Sequence, residues 1–390
     1  MDLIKLNELC DINIGKTPSR SKSEYWGKGY KWITIADLKE KFIYQTKEEV
    51  TDIAVDKCNM KLIPKDTVIM SFKLSIGKTA ILKEDMFSNE AIANFPIKNK
   101  DKIIPEYLYY AIKTLNFDNT DRAVMGATLN KSKLNDIEIP YFDIKTQYKI
   151  VSILDKAQEL INKRREQMLC LDKLVESRFI EMFGDINRNT KQWDVNKIGE
   201  LVDVIGGYAF KSANFVDEGI PVLKIGNINA GYFKNTNLVF WNKDEKLDRY
   251  LIKPKDLVIS LTGTVGKDDY GNVCIMGNDY KEYYLNQRNA KLDINNENML
   301  DKYYLTYALK VPEIKKRLTG ISRGVRQANI SNKDIQNLEL PIAPIELQKQ
   351  FADFIERVEK LKLVVKKSIN ELEENFNSLT QKVFKGDLFN

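Results

Sequence analysis

At 390 residues, with 43% hydrophobic and 30% charged side chains, the chain is sized and composed for two or three folded domains, not one core or a disordered segment. It has no histidine, and its four cysteines (Cys10, Cys58, Cys170, Cys274) are far apart with no Cys-x-x-Cys pair. Those two facts exclude Ser-His-Asp and Cys-His catalysis and histidine metal sites, and argue against a thiolate zinc site or a disulfide framework. The net charge of +6 is a modest basic excess that suits an anionic partner such as nucleic acid without requiring one.

The chain opens on MDLIKLNELCDI, which lacks the long apolar core of a signal peptide, and no run of 18 apolar residues follows anywhere. A cytoplasmic protein without a membrane span is expected. The first 143 residues alternate strand and turn signals. KLNELCDINIG (5–15) and KWITIADLK (31–39) come first. LIPKDTVIM (62–70) reads as a strand entered from a tight Pro-Lys-Asp turn. PEYLYYAIK (105–113) reads as a short helix with Tyr107 and Tyr110 at helical spacing. MGATLNKSKLNDIEIP (125–140) closes the block. The pattern predicts a mixed α/β globule.

From 144 to 183 there is neither Pro nor Gly, and one long helix is expected. The earlier blocks then recur in the same order. They are KIGELVDVIGG (197–207), PVLKIGNIN (221–229), LIKPKDLVISLTGTVGK (251–267), DKYYLTYALK (301–310) and RGVRQANISNKDIQNLELP (323–341). A repeat of about 200 residues is too long for a solenoid unit and reads as a duplicated module. The second copy carries insertions, most visibly near DDYGNVCIMGNDYKEYY (268–284). A second stretch free of Pro and Gly runs from 345 to 385.

In that last stretch the apolar residues Phe351, Phe354, Ile355, Val358, Leu361, Val365, Ile369, Leu372, Phe376, Leu379 and Val383 advance mostly by threes and fours, which predicts a long amphipathic helix with a coiled-coil-like seam. Subtracting 201 from each number lands on an apolar residue in the first helix except at Arg164 and Arg178, expected to lay their methylenes along the stripe. A helix of roughly 57 Å outreaches one module. The expected architecture is two tandem mixed α/β modules separated by two long helices that pair antiparallel as a spacer, in pseudo-twofold relation. The alternative is that each helix packs only on its own module.

A rigid spacer between two related globules suits B-DNA, where twofold-related readers fall on half-sites about one helical turn apart. In the residues that carry these blocks, the chain resembles the DNA specificity subunit of type I restriction–modification systems. The carrying residues are the two Lys-Asp-x-Val-Ile blocks ending in SIGK (75–78) and TVGK (264–267), NQRNAKLD (286–293), GVRQANISNKDIQNLELPIAPIELQKQF (324–351) and its weaker partner GATLNKSKLNDIEIPYFDIKTQYKI (126–150). The resemblance covers essentially the whole chain. It implies target recognition domains at 1–143 and 188–344, and spacer helices at 144–187 and 345–390. It also implies a bipartite, asymmetric DNA target with a fixed spacer. Two modification subunits that carry S-adenosylmethionine and methylate adenine would dock on the helices, and a restriction subunit using ATP and magnesium would add cleavage. The chain itself would hold no cofactor. A non-catalytic role agrees with the lack of a Walker A, an Asn-Pro-Pro-Tyr motif and histidine. The alternative function is a helical-rod adaptor that binds proteins without reading DNA sequence. One departure from the repeat stands out: FSNEAIANFPIK (87–98) occupies the place of the NQRN block, with Asn89-Glu90 facing Asn286-Gln287.

Candidate DNA contacts follow from side-chain chemistry. Thr262, Thr264 and Lys267 sit in a glycine-containing loop that offers N–H groups, hydroxyls and a cation to a phosphate or a groove, with Lys73, Ser75 and Lys78 in the matching first-module loop. The plain alternative is a hairpin turn. Arg323, Arg326 and Gln327 carry the side chains that grip guanine and adenine, with Thr128, Asn130 and Lys131 at the equivalent place; the alternative is a solvated loop. Arg122, Lys211 and Arg288 are further candidates, for which surface ion pairs are an equal alternative. Tyr107, Tyr110, Tyr304 and Tyr307 are expected in the core more than as base-stacking groups.

Overall fold

The computed structural model describes residues 2–73, 75–115, 122–123, 126–127, 131–320 and 327–389. The chain divides into two compact units. One is Met1–Arg165 with Lys367–Asn390, the other Glu166–Lys366. Each is a mixed α/β body, as the alternating turn and strand signals predicted.

In the first unit the strands Asn13–Ile14, Ile92–Phe95, Val68–Ser71, Thr79–Leu82 and Phe42–Ile43 form one sheet in that order. Glu48–Val50, Trp26–Ile33 and Phe87–Ser88 form another. In the second unit Val202–Gly206, Asn289–Ile294, Leu257–Ser260 and Val273–Ile275 repeat the first sheet without its last strand. Val239–Trp241, Ile220–Leu223, Tyr283–Leu285 and Leu251–Ile252 repeat the second, the pair Ile252–Tyr283 matching the bridge Ile63–Met86. The central strands Val68–Ser71 and Leu257–Ser260 are buried throughout. Each is entered from the Pro-Lys-Asp turn, in the second unit with Asp256 N–H on Lys253 O at 3.1 Å and Lys255 at φ 72°.

Strand register locates the insertions. The offset is 189 from Ile69 to Val258, 194 from Thr79 to Val273 and 197 from Phe87 to Tyr284. The second copy therefore gains five residues in the hairpin loop and three more before Tyr284. At the loop's mouth Ser71 N–H bonds Lys78 O at 2.9 Å and Ser260 N–H bonds Asn272 O at 3.0 Å. The register partner of Lys78 is thus Asn272, not Lys267. The matching Gly-Lys endings of the two loops are a likeness of sequence that the hydrogen-bond ladder does not preserve.

The helices Ile144–Phe183 and Ile345–Lys385 are continuous. Before each, a short strand containing a proline closes the module on its own first strand. Pro140 lies opposite Leu3, and Pro341 opposite Val195. These are two-stranded pairings, where a proline's missing N–H is tolerated. Just inside each helix a fully buried glutamine, Gln147 or Gln348, ties the helix to the module.

The second long helix is not confined to its own module. Val383 and Phe384 join the first unit's core around Tyr107, Ile150 and Leu154, with the Tyr107 and Phe384 rings 5.6 Å apart. In the second unit Val175, Phe179 and Phe183 of the first helix share a core with Phe351, Ile355 and Val358. There Asp172 pairs with Lys362 at 2.7 Å, Arg178 lies 5.9 Å from the Phe354 ring, and Phe183 and Phe351 are 5.4 Å apart. Numbers rise on one segment as they fall on the other, so the segments run in opposite directions. Three stripe positions differ from expectation: Ile153, Leu160 and Leu361 are 40%, 53% and 54% exposed, while Ile161, Phe179 and Phe183 are buried. The reason is that module cores, not only a facing helix, claim part of each helix surface. Among the described residues no helix is long and apolar enough to cross a membrane.

Candidate nucleic-acid interface

The second unit brings several predicted residues together through its backbone. Leu261 is the junction: its N–H bonds Arg288 O at 2.8 Å, and its carbonyl accepts Ile330 N–H at 2.8 Å. From there the strand Thr262–Thr264 pairs antiparallel with Gln327–Asn329, Thr264 opposite Gln327 and Thr262 opposite Asn329. Arg288 belongs to the tight turn 286–289, whose Gln287 N–H bonds Tyr208 O at 2.9 Å. Lys211 follows three residues after Tyr208 and is exposed. Three stretches distant in sequence, around 208, 262–288 and 327, are therefore stitched into one rim.

Side chains on that rim are not equivalent. Thr262 is buried, whereas Thr264, Lys267 and Arg288 are exposed. The Thr264 N–H and hydroxyl are both taken by Asp269, at 2.8 and 3.0 Å. The Thr264 backbone N–H, with help from the hydroxyl and Lys267, holds the Asp269 carboxyl below its usual range. An anionic ligand there would have to displace a carboxylate, so the donors that made Thr264 attractive are internal to the loop. Lys267 keeps its head in water, its N–H closing a turn on Thr264 O at 3.0 Å beside Gly266 at φ 79°. The far side of the loop is anchored, since Lys315 pairs with Asp268 and reaches Asn272 at 2.6 Å, and the buried Tyr270 donates to Thr319 O at 2.8 Å.

The first unit repeats the junction, with Phe72 N–H on Ala91 O at 3.0 Å. Lys73 is half-buried, its ammonium 5.5 Å from the Phe72 ring, and Ser75 and Lys78 are exposed. Ser71 Oγ accepts from Lys78 N–H at 3.1 Å and donates to Ser75 O, which closes the short loop. Thr128, Asn130, Arg323 and Arg326 lie outside the described residues. Of Arg122, Lys131 and Gln327 the backbone is described: Arg122 pairs with Ala127, Lys131 opens the helix Lys131–Asn135, and Gln327 pairs with Thr264.

The tyrosines are core. Tyr107, Tyr110 and Tyr304 are buried, and Tyr307 is half-buried against Phe179 and Phe351. Tyr107 and Tyr304 donate to Pro140 O and Pro341 O at 2.7 and 2.6 Å, and Tyr110 donates to Asp155 at 2.5 Å. Burial pushes the Tyr307 phenol up to about 12. Gln287 meets Tyr208 on the rim through its backbone N–H, and Glu90 holds the place of Gln287 in the first unit. Their sequence signals are the repeated INIGK/VIGGY and NEAI/NQRN blocks, but only long-range pairing shows that these blocks meet. Among the described residues no cluster of carboxylates and cysteines is arranged to hold a metal ion.

Comparison with known proteins gives one consistent answer. A family described as "Type I restriction modification DNA specificity domain" matches residues 1–169 and again 190–374. The specificity subunit of the type I restriction enzyme MjaIX from Methanocaldococcus jannaschii is 25% identical over 415 residues, covering 99% of this chain and 93% of that one. The EcoR124I/EcoR124II specificity subunit of Escherichia coli is 29% identical over 160 residues, 39% of each chain. A solved structure described as "Structural basis underlying complex assembly and conformational transition of the type I R-M system" superposes with TM-score 0.61 at 17% identity, covering 99% of this chain and 98% of that one. With the family's signature present once in each of its two modules, the chain belongs to the type I restriction modification DNA specificity domain family.

Proposed function

We propose that the chain is the DNA-reading specificity subunit of a type I restriction–modification complex, recognising a bipartite, asymmetric target across a fixed spacer. The observation that carries this is the double family match laid over two copies of one framework whose loops differ at the same place. Target recognition domains at 1–143 and 188–344 would read one half-site each. The helix regions 144–187 and 345–390 would pair antiparallel, coiled-coil-like and in pseudo-twofold relation, and set the distance between half-sites. The chain is non-catalytic in this reading and works in the cytoplasm. Two modification subunits would bring S-adenosylmethionine and methylate adenine, and restriction subunits with ATP and magnesium would cleave. The exposed apolar side chains Leu169, Leu174, Ile180, Leu363 and Val364 on the long helices support a protein partner there.

The test is to co-express the chain with a type I modification subunit and map modified adenines across the host genome. The expected result is methylation at one bipartite motif with an invariant gap. Matched four-residue insertions in both long helices, beside Arg165 and beside Lys366, are expected to change the gap and leave both half-sites intact. Helical rise is about 1.5 Å per residue, so four residues add about 6 Å, or close to two base-pair steps. Methylation at ungapped or random sites overturns the proposal. Binding by the assembled complex that ignores sequence and salt favours a protein-binding adaptor instead.

A further inference from the structure

The duplication lets one module serve as the comparison for the other. The turns at 89–92 and 286–289 share several of their backbone bonds. Each follows a strand paired in parallel with a partner strand, Trp32 opposite Phe87 and Val222 opposite Tyr284. Each closes on itself, Ile92 N–H on Asn89 O at 3.2 Å and Asn289 N–H on Asn286 O at 2.9 Å. The asparagine side chain braces both turns, Oδ1 accepting from Ala91 N–H at 3.1 Å and from Arg288 N–H at 3.3 Å. Each turn is tied to the hairpin loop by Phe72 N–H on Ala91 O and Leu261 N–H on Arg288 O. Each is crossed by a glycine that tolerates no side chain: a Cβ on Gly15 would lie 2.2 Å from Ser88 O, and one on Gly207 2.2 Å from Asn286 O.

Between these fixed points the two modules differ in two residues. The first presents Glu90-Ala91 and the second Gln287-Arg288. Glu90, Gln287 and Arg288 are exposed, and none has an ion pair or side-chain hydrogen bond within the described residues. The buried side-chain oxygens that lack a hydrogen-bond partner among the described residues are Ser88 Oγ and Asn289 Oδ1, which flank these same turns. An unpaired buried polar atom is costly and calls for an explanation, of which a working site is one. A turn fixed by main-chain bonds leaves its outward side chains free to vary at little cost in folding. Such a position suits specificity.

We propose that the turns 89–92 and 286–289 are one specificity-determining position written twice, with Glu90 reading a base in one half-site and Gln287 and Arg288 reading bases in the other. The inference rests on the DNA-reading function proposed above. A glutamate accepts from the cytosine amino group, glutamine grips adenine, and arginine grips guanine at O6 and N7. The expected readout is a required cytosine in the first module's half-site and a required purine in the second's. Glu90 is the sharper probe, because a carboxylate beside phosphates only repels them and helps binding only against a base edge.

The experiment maps methylated adenines for complexes carrying Glu90→Ala, or Gln287→Ala with Arg288→Ala, alongside the unaltered chain. Quantitative binding is measured in parallel, using duplexes that carry each of the four bases at every motif position. Each variant is expected to lose about ten- to hundredfold discrimination at one or two positions of a single half-site. The other half-site and the gap stay unchanged. Unchanged base preferences overturn the inference, as does a uniform change in affinity at every position, which marks a phosphate or bystander role. If the unaltered complex shows no bipartite motif, the underlying function fails instead, and the two failures are distinguishable.

Discussion

Replacing Phe351 with alanine is expected to destabilise the second unit by about 3–5 kcal/mol. Phe351 is fully buried at the start of the second long helix. Its ring lies 5.3 Å from Phe179, 5.4 Å from Phe183 and 5.5 Å from Tyr307. Two of those partners come from the end of the other long helix and one from the short helix Lys302–Lys310. The substitution therefore opens a cavity where three elements meet, none of which can collapse into it without leaving its own cluster. Hydrogen exchange followed by peptide is the right measurement, because a chain of two units need not unfold in one step. Peptides from 345–360, 171–183 and 302–310 are expected to lose protection together. Leu361→Ala, on the exposed side of the same helix, is expected to cost under about 0.5 kcal/mol. A loss below about 1 kcal/mol for Phe351→Ala would mean that the opposed helix segments do not form a tight core.

What the sequence disclosed follows from what sequence periodicity records. Helical spacing identified both long helices and most of their buried stripe, because burial on a helix repeats every three to four residues. The tyrosines at helical spacing were core for the same reason. Duplication exposed the second module by likeness to the first. Sequence likeness misleads where hydrogen bonds rather than periodicity decide. Lys78 and Lys267 look equivalent because each ends a Gly-Lys pair, yet the ladder through Ser71 and Ser260 selects Asn272. Thr264 looks like a free donor until Asp269, five residues on, is seen to occupy it. Ile153 and Leu160 lie on the written stripe, but one-helix reasoning cannot see which side the module core takes. The rim itself joins residues near 208, 262, 288 and 327, and no local pattern records a meeting of segments so far apart.

Gln147→Ala and Gln348→Ala are each expected to cost about 2–4 kcal/mol in the unit that holds the glutamine, measured by hydrogen exchange followed by peptide. The two side chains make the same three bonds. Gln147 Oε1 accepts Ile104 N–H at 3.0 Å, and Nε2 donates to Lys102 O and Phe142 O, both at 2.8 Å. Gln348 Oε1 accepts Asp301 N–H at 2.8 Å, and Nε2 donates to Met299 O at 2.9 Å and Ala343 O at 2.6 Å. Each amide thus clamps the first turns of a long helix to the loop ahead of a tyrosine-bearing helix. Removing it strands one N–H and two carbonyls in a buried place. This explains why the proline-to-glutamine distance is seven residues in both copies (Pro140 to Gln147, Pro341 to Gln348) while the loops elsewhere change length. A glutamate at 147 separates the clamp from simple packing. As an anion it can still accept from Ile104 but faces two carbonyls with no proton to give, and burial raises its pKa. Stability gained from the protonated form is then fully present below the unfolded carboxyl pKa of about 4.3 and is lost as pH rises from there to the raised folded value. Measured against the unaltered chain at each pH, Gln147→Glu should be least damaging near pH 5 and most damaging near pH 8, where it should exceed the cost of Gln147→Ala. A penalty for Gln147→Glu independent of pH would show that the carbonyls do not need the donors. The fixed junction would then owe its spacing to something other than this bond set.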